Sequence, residues 1–261
     1  MNQIAAPFFS AVSALSSLTR RVTLRPAGAT GRSEVPLHVA LILGICKQSQ
    51  TQKLDENERF TKEQQALLEV TDAALKKGVG CLSVSLENFW HAGRTVEFLN
   101  TQGHLLGQRG VRLTIQTSLS EDTPELQAAL DHLSSSAPAL GTEKLRLHLL
   151  VAVNAASELS AAVQRLARKV QNGTVTAETF TREDLDREIN QHDAAESVCL
   201  PEVDLLLHTA DASKLSRSLL WKTAYAEIFF SSACWLDFTQ QHFADALSDF
   251  AGRRRTFGGL K

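Results

Sequence analysis

The chain has 261 residues, of which 43% are hydrophobic and 21% are charged, and its formal net charge is −2. This length and balance predict a globular domain with a large buried core. The near-neutral charge argues against a general nucleic-acid-binding protein, whose basic surface would show in the totals. No stretch approaches the ~20 apolar residues that span a bilayer. The four cysteines lack CxxC spacing, which argues against a zinc site and predicts reduced thiols.

Residues 1–34 differ in composition from the rest of the chain. They contain several arginines and serines and no acidic residue before Glu34. Residues 5–18 are apolar enough to form a short helix. Three interpretations remain open: a helix on a membrane surface, which we favour, a mitochondrial transit peptide, or a disordered leader. We therefore expect a leader at 1–34 and a folded domain at 35–261.

From residue 35 onward, apolar runs alternate with segments of helical periodicity. The pattern predicts strands at 37–43, 81–85, 111–116, 145–153, 203–207 and 226–230. It predicts helices at 58–77, 95–106, 124–133, 155–171, 183–189 and 239–253, the fifth capped by Thr181.

Strands separated by helices imply crossover connections. The expected fold is therefore α/β, a mostly parallel central sheet of about six strands with helices on both faces. Ligands of such sheets bind beyond the carboxyl ends of the strands. Chemistry is expected in the segments after Leu43, Ser85, Val153 and Leu207.

The last sixty residues carry a distinctive series of motifs. In chain order they read Asp204-Leu205-Leu206-Leu207, Leu219-Leu220-Trp221, Ala224-Tyr225-Ala226-Glu227, Trp235, Asp237-Phe238 and Phe257-Gly258-Gly259. Their order, spacing and aromatic placement resemble the end of the cis-prenyltransferases, the undecaprenyl and dehydrodolichyl diphosphate synthases. Residues 38–43 (HVALIL) resemble the family's HVAIIM strand, and Glu87-Asn88 with Trp90 resembles its SSENW segment. The resemblance implies the cis-prenyltransferase fold and a Mg²⁺-dependent addition of isopentenyl diphosphate to an allylic diphosphate.

The motifs with which this family binds diphosphate are altered here. After the first strand the family has DGNxRWA, whose aspartate helps to hold Mg²⁺ and whose arginine binds diphosphate. Gly44 stands at the place of the aspartate and Gln48 at that of the arginine. The family's RTGGExR motif corresponds to residues 208–214, so its arginines become His208 and Lys214, and the serine that follows is retained as Ser216. An imidazole and an ammonium group do not reproduce two guanidinium forks. His208, Lys214 and Ser216 remain candidate substrate-binding residues.

Other positions match, or lie next to, functional residues of the resembled family. Glu227 matches the glutamate with which the family binds Mg²⁺ together with residues of a neighbouring subunit, so it is a candidate metal ligand. Arg255 lies one residue before the place of a tail arginine that reaches into a partner's active site, and is a further candidate substrate-binding residue. The retained aromatic residues predict a subunit interface made by Trp221, Tyr225, Phe229, Trp235 and Phe238.

A chain that keeps an interface and loses catalytic residues resembles the non-catalytic, Nogo-B-receptor-like subunit of dehydrodolichyl diphosphate synthase complexes. We therefore expect no catalytic residue in this chain, and Mg²⁺ held mainly by a catalytic cis-prenyltransferase partner. The complex would bind isoprenoid diphosphates and make polyprenyl diphosphate for dolichol and protein glycosylation. The expected location is the cytosolic face of the endoplasmic reticulum membrane, with mitochondrial or cytoplasmic alternatives. Two other functions stay open: an active synthase of short or irregular prenyl diphosphates, and a non-enzymatic isoprenoid-binding scaffold.

Overall fold

A computed structural model describes residues 34–44, 54–86, 89–117, 124–138, 142–153, 155–190, 200–210, 219 and 222–254. The expected leader lies outside these ranges except for Glu34, so its boundary stays a prediction. Among the helices of the described ranges, none is long and apolar enough to cross a bilayer.

A parallel sheet forms the centre of the described structure. Its strands are β1 (His38–Ile42), β2 (Cys81–Ser85), β3 (Val111–Thr117), β4 (Leu145–Val151), β5 (Leu205–His208) and β6 (Glu227–Phe230). The strand order is β3-β4-β2-β1-β5-β6, and every pair is parallel. This sheet confirms the predicted α/β fold.

Helices connect most of the strands. They are α1 (Glu56–Lys77), α2 (Ala92–Gln108), α3 (Pro124–Ser136), α4 (Ala155–Gln171), α5 (Arg182–Asn190) and α6 (Gln240–Gly252). The side chain of Asp55 caps α1 by accepting from the N–H groups of Asn57 and Glu58. Thr181 caps α5 as predicted, since its hydroxyl accepts from the N–H of Asp184 over 3.2 Å.

The main hydrophobic core lies on one face of the sheet. Alternate strand residues such as Val39, Leu41 and Leu82 belong to it, because successive side chains of a strand point to opposite faces. Buried residues of α1, α2, α3 and α6 complete this core. A smaller apolar cluster that includes Ala40 and Ile42 lies on the other face. Because buried apolar residues pack on both faces of the sheet, its strand ends are the places where a site can form.

A buried polar network holds the amino ends of the central strands. The carbonyl oxygen of Pro201 lies 2.7 Å from Nδ1 of His38, and the hydroxyl of Ser83 lies 2.8 Å from Nε2. Because a carbonyl only accepts, Nδ1 carries the proton and Nε2 accepts from Ser83. The carboxylate of Asp204 accepts from the N–H groups of Leu37 and His38. Burial lowers the pKa of His38 to about 4, so its imidazole is neutral at physiological pH.

Candidate functional site

The carboxyl ends of β1 and β5 lie side by side. Their register pairs Ile42 with His208, the last residue of each strand. Gly44 follows β1 and Thr209 follows β5, so the first two altered diphosphate motifs begin at the same place. We call Gly44, His208, Thr209 and Ala210 the carboxyl edge.

Hydrogen bonds close the carboxyl edge around Gly44. The N–H of Gly44 donates to the hydroxyl of Thr209 over 2.8 Å. The carbonyl oxygen of Gly44 accepts from the N–H of Trp235 over 3.2 Å, and that of Ile42 accepts from the N–H of Thr209 over 3.1 Å. Both main-chain polar groups of Gly44 therefore have partners inside the chain, whereas a phosphate-binding loop would direct its N–H groups at the ligand.

The space beside Gly44 admits no side chain. A Cβ atom at this position would lie 2.3 Å from the carbonyl oxygen of Thr209 and 2.6 Å from the Cβ of Ala210. Both distances are far inside van der Waals contact, and the first is to a main-chain atom that has no rotamer to change. The packing of the carboxyl edge therefore leaves no room for the aspartate that the family has at this position.

Ala210 has a main-chain conformation that favours glycine. Its φ is 69°, in the left-handed region, and it takes the place of the first glycine of RTGGExR. Its N–H donates to the carbonyl oxygen of Ala233 over 2.8 Å, which fixes the turn against the segment before Trp235. A residue with a Cβ atom thus adopts a main-chain conformation that glycine adopts at lower cost.

The ring of His208 is held inside the edge. The carbonyl oxygen of Thr209 accepts from Nδ1 over 2.8 Å, and the ring stacks on Phe230 with centroids 6.1 Å apart. The side chain is buried. His208 therefore lies where the family has an arginine, but it is held as part of the packing of the edge.

Glu227 lies at the opposite end of the sheet from His208. The register pairs Glu227 with Leu205 and His208 with Phe230, so three residues of strand, about 10 Å, separate the two levels. The carboxylate of Glu227 forms an ion pair with Arg253 over 3.1 Å, and Arg253 also donates to the carbonyl oxygen of Ile228 over 2.8 Å. Within one chain, Glu227 and the carboxyl edge therefore cannot coordinate the same metal ion.

The residues described do not fit a bound Mg²⁺. Gly44 supplies no carboxylate, and the carboxylate of Glu227 is engaged by Arg253 at the other edge. Among the described ranges, no group of three or more His, Cys, Asp or Glu side chains could hold a metal ion. The prediction of Glu227 as a metal ligand is therefore not supported by its surroundings in this chain, and Mg²⁺ held by a partner stays a prediction.

Several candidate residues fall outside the described ranges. They are the substrate-binding candidates Lys214, Ser216 and Arg255 and the interface candidate Trp221. Their assignments remain predictions from the sequence.

The aromatic residues predicted to form an interface divide into two groups. Tyr225 is 56% exposed, and Phe229 is partly buried against the main core. Trp235 and Phe238 are fully buried in that core, where their rings stack with centroids 6.3 Å apart. Within the chain both side chains therefore belong to the core, and their role at an interface stays a prediction.

One buried carboxylate near the carboxyl end of β2 was missed by the sequence analysis. Glu63 on α1 accepts from the indole N–H of Trp90 over 3.1 Å and from Arg59 over 3.0 Å. Burial raises its pKa, an effect that the two donors partly offset. Trp90 also packs against the rings of Phe60 and Phe98. The sequence did contain a signal for this buried carboxylate, because Glu63 is an acidic residue among the apolar positions of α1.

Two cysteines differ in state. Cys81 is a buried free thiol whose pKa burial raises to about 12. Cys234 is disulfide-bonded, which corrects the expectation of reduced thiols throughout.

Comparisons with known proteins identify the family. The Prenyltransf family, that of undecaprenyl diphosphate synthase, matches residues 46–258. The chain belongs to this family of cis-prenyltransferases. A ditrans,polycis-undecaprenyl-diphosphate synthase of Pseudomonas putida is 30% identical over 249 residues, covering 87% of this chain and 92% of the relative. An isoprenyl transferase of Rhodopirellula baltica is also 30% identical, over 87% of this chain and 94% of its own.

A solved structure supports the same fold. Lavandulyl diphosphate synthase from Lavandula x intermedia, in complex with dimethylallyl diphosphate, superposes with a TM-score of 0.73 and 20% identity. The superposition covers 87% of this cis-prenyltransferase-family chain and 99% of the lavender protein. The two relatives named above are bacterial, so the narrower resemblance to a Nogo-B-receptor-like subunit stays a prediction.

Proposed function

We propose that this chain is a non-catalytic subunit of a heteromeric cis-prenyltransferase, in which a catalytic homologue supplies the Mg²⁺ and most of the diphosphate-binding residues. The observation that carries the proposal is the closed carboxyl edge. A Cβ atom at Gly44 would lie 2.3 Å from the carbonyl oxygen of Thr209, so the edge has no room for the family's aspartate.

The charges of the described residues support the same proposal. Departure of the diphosphate from an allylic substrate needs cations and aligned donors where negative charge develops. At this edge the main-chain polar groups of Gly44 are bonded within the chain, and the N–H of His208 Nδ1 points to Thr209. The framework of the fold is retained and these donors are not directed at a ligand.

A second function, an active prenyl diphosphate synthase, is favoured by the comparisons. Identity of 30% with named synthases extends over 87% of the chain and is not confined to the interface region. Such an enzyme would bind diphosphate through residues outside the described ranges.

Turnover by the purified chain distinguishes the two functions. The chain is incubated with Mg²⁺, an allylic diphosphate and radiolabelled isopentenyl diphosphate, with a bacterial synthase as positive control. We expect no product above the enzyme-free blank, and none from Gly44→Asp either, because the aspartate alone restores neither the space nor the cations. Robust turnover by the homogeneous wild-type chain would establish the synthase and end the subunit proposal.

The role as a subunit requires a partner. Co-purification from the native cell with mass spectrometry is expected to recover a catalytic cis-prenyltransferase, whose turnover rises when this chain is added. Arg255→Ala is expected to spare assembly and lower that turnover. Recovery of lipid without any synthase would instead favour the isoprenoid-binding scaffold. Production of dolichol precursors and location at the endoplasmic reticulum membrane are further proposals, tested by microscopy and by analysis of the product.

A further inference from the structure

One cysteine beside the carboxyl edge is oxidised. Cys234 is disulfide-bonded and lies between the end of β6 and Trp235. Cys81 is a free, buried thiol and is therefore not its partner. The chain contains four cysteines, which leaves Cys46 or Cys199. Both lie outside the described ranges, so the partner is inferred from the positions of their neighbours along the chain.

The described neighbours of Cys46 and Cys234 are in contact. The N–H of Trp235 donates to the carbonyl oxygen of Gly44 over 3.2 Å. Cys46 follows Gly44 by two residues, and Cys234 directly precedes Trp235. Two residues of chain span at most about 7 Å, and a disulfide joins Cα atoms about 4.4 to 6.8 Å apart. Cys46 is therefore within reach of Cys234.

Cys199 is connected to the opposite end of the sheet. The carbonyl oxygen of Pro201, two residues after Cys199, lies 2.7 Å from Nδ1 of His38 at the amino end of β1. Six residues of extended chain, about 20 Å, separate His38 from Gly44. Two residues of chain cover about a third of that distance. The positions of the neighbours therefore favour Cys46 over Cys199.

We propose that Cys46 and Cys234 form a disulfide that acts as a redox switch of the carboxyl edge, and we call it the edge disulfide. A dithiol reductant opens it by thiol–disulfide exchange: the reductant gives up two electrons and two protons, both cysteines become thiols, and the reductant becomes a disulfide. Cys234 is partly exposed, which gives a small thiol access to the bond. The inference goes beyond the proposed function and does not rest on it, since Gly44 supplies no carboxylate in either redox form.

The edge disulfide lies where three segments meet. The segment of Cys234 bonds to Gly44 after β1 and, through the carbonyl oxygen of Ala233, to the N–H of Ala210 after β5 over 2.8 Å. In the oxidised chain a covalent bond adds to these hydrogen bonds and limits how far the segments after β1 and β6 can separate. Reduction is therefore expected to loosen the carboxyl edge and to leave the amino ends of the strands unchanged.

Peptide mapping identifies the partner of Cys234. Trypsin places the four cysteines in four different peptides, 33–47, 78–94, 188–214 and 223–253. The purified chain is equilibrated with oxidised glutathione, alkylated with N-ethylmaleimide and digested without reductant. Mass spectrometry is expected to find 33–47 joined to 223–253, and the other two peptides alkylated. Joining of 188–214 to 223–253, or four alkylated cysteines, would overturn the proposal.

Amide hydrogen exchange tests whether the bond controls the edge. In the reduced chain the N–H groups of Gly44 and Trp235 are expected to exchange about tenfold faster than in the oxidised chain. The internal control is the N–H of Asp204, which donates to the carbonyl oxygen of His38 over 3.0 Å at the amino ends and should keep its rate. Equal rates at Gly44 and Trp235 in the two redox forms would overturn the switch.

Serine variants test whether the effect belongs to this pair of cysteines. Cys46→Ser and Cys234→Ser are each expected to exchange at the edge like the reduced wild type, with or without dithiothreitol. Cys199→Ser is the matched control: it also removes one cysteine, and it should keep both the slow exchange and the response to dithiothreitol. A Cys199→Ser chain that no longer responds, or a Cys46→Ser chain that still does, would contradict the proposal.

Discussion

The two ends of the central strands retain different kinds of chemistry. At the amino ends, His38, Ser83 and Asp204 form a buried network in which donors and acceptors are matched. At the carboxyl ends, where sheets of this kind bind ligands, the main-chain N–H of Gly44 donates to the side-chain hydroxyl of Thr209. The amino ends are joined by bonds between polar side chains and the main chain of several segments, whereas every side-chain hydrogen bond named at the carboxyl edge has a main-chain group as its partner.

This difference separates the requirements of the fold from those of the reaction. The amino-end network aligns β1, β2 and β5, so its loss would disturb the whole sheet. Under the proposed function, the aspartate and arginines that the family has at the carboxyl end are not required, because they serve the diphosphate and not the fold. Variants at each end test whether the two ends contribute differently to the stability of the fold.

Gly44 is expected to give the largest effect. Gly44→Ala should destabilise the fold by about 3 kcal/mol, because its Cβ would displace the main chain at Thr209. Urea unfolding measures the change in the free energy of unfolding. Gly252→Ala is the matched control, since a Cβ there has no neighbour within 4 Å, and it should be neutral or stabilising by up to about 1 kcal/mol. A Gly44→Ala protein as stable as the wild type would mean that the edge is open.

His38 is expected to give a pH-dependent effect of similar size at the other end. The pKa of His38 is about 4 in the folded chain against 6.5 ordinarily, so the unfolded chain takes up the proton first as the pH falls. The free energy of unfolding should therefore be constant above pH 6.5 and fall by about 3 kcal/mol between 6.5 and 4.

The matched variants for this pH profile are His38→Gln and His104→Gln. The first should remove the contribution of His38 from that interval, whereas the second, at an exposed position on α2, should leave the slope unchanged. Identical pH profiles for the wild type and His38→Gln would show that the network does not hold a neutral imidazole.

Ala210 should respond to substitution in the opposite direction. Ala210→Gly is expected to stabilise the fold by about 1 kcal/mol, because glycine adopts a φ of 69° without a clash at Cβ. The control Ala161→Gly, inside α4, should destabilise by about 1 kcal/mol. Thermal unfolding compares the two, and a loss of stability in both would place Ala210 in an ordinary conformation.

Glu227 should give the smallest effect. Glu227→Gln and Arg253→Gln are each expected to cost about 0.5 kcal/mol, because their ion pair is partly exposed, at 28% and 31% of the two side chains. A double-mutant cycle measures the coupling between them, and Mg²⁺ should not raise the melting temperature of the isolated wild type. Stabilisation by Mg²⁺ that disappears in Glu227→Gln would restore Glu227 as a metal ligand.

The sequence predicted the elements well where local signals mark their ends. Helix α4 was predicted with the observed bounds, 155–171, since Asn172-Gly173 follows it. The fifth strand was predicted at 203–207 and is observed at Leu205–His208. Val203 is buried and Asp204 binds the main chain at the start of β1, but neither residue belongs to the strand. Hydrophobicity alone does not show where the hydrogen bonds of a strand begin.

The candidate site was predicted only in part. The missing aspartate at Gly44 was evident from the sequence, and the location at the carboxyl ends followed from the fold class. The closure of the edge was not predictable, because Gly44 and Thr209 are 165 residues apart and their contact depends on the assembled sheet. The same limit applies to the burial of Trp235. An aromatic residue in an apolar cluster gives the same sequence pattern in a core and at an interface.

The helical hairpin of α4 and α5 has a consequence for the order in which the chain folds. Arg165 and Glu188 are 23 residues apart, whereas His38 and Pro201, which join the amino ends of the sheet, are 163 apart. Closing the short loop loses less chain entropy and takes less time than closing the long one. During synthesis, residues 155–190 can therefore complete their mutual contacts before β5 has been made, so that the hairpin is formed while the sheet is still unfinished.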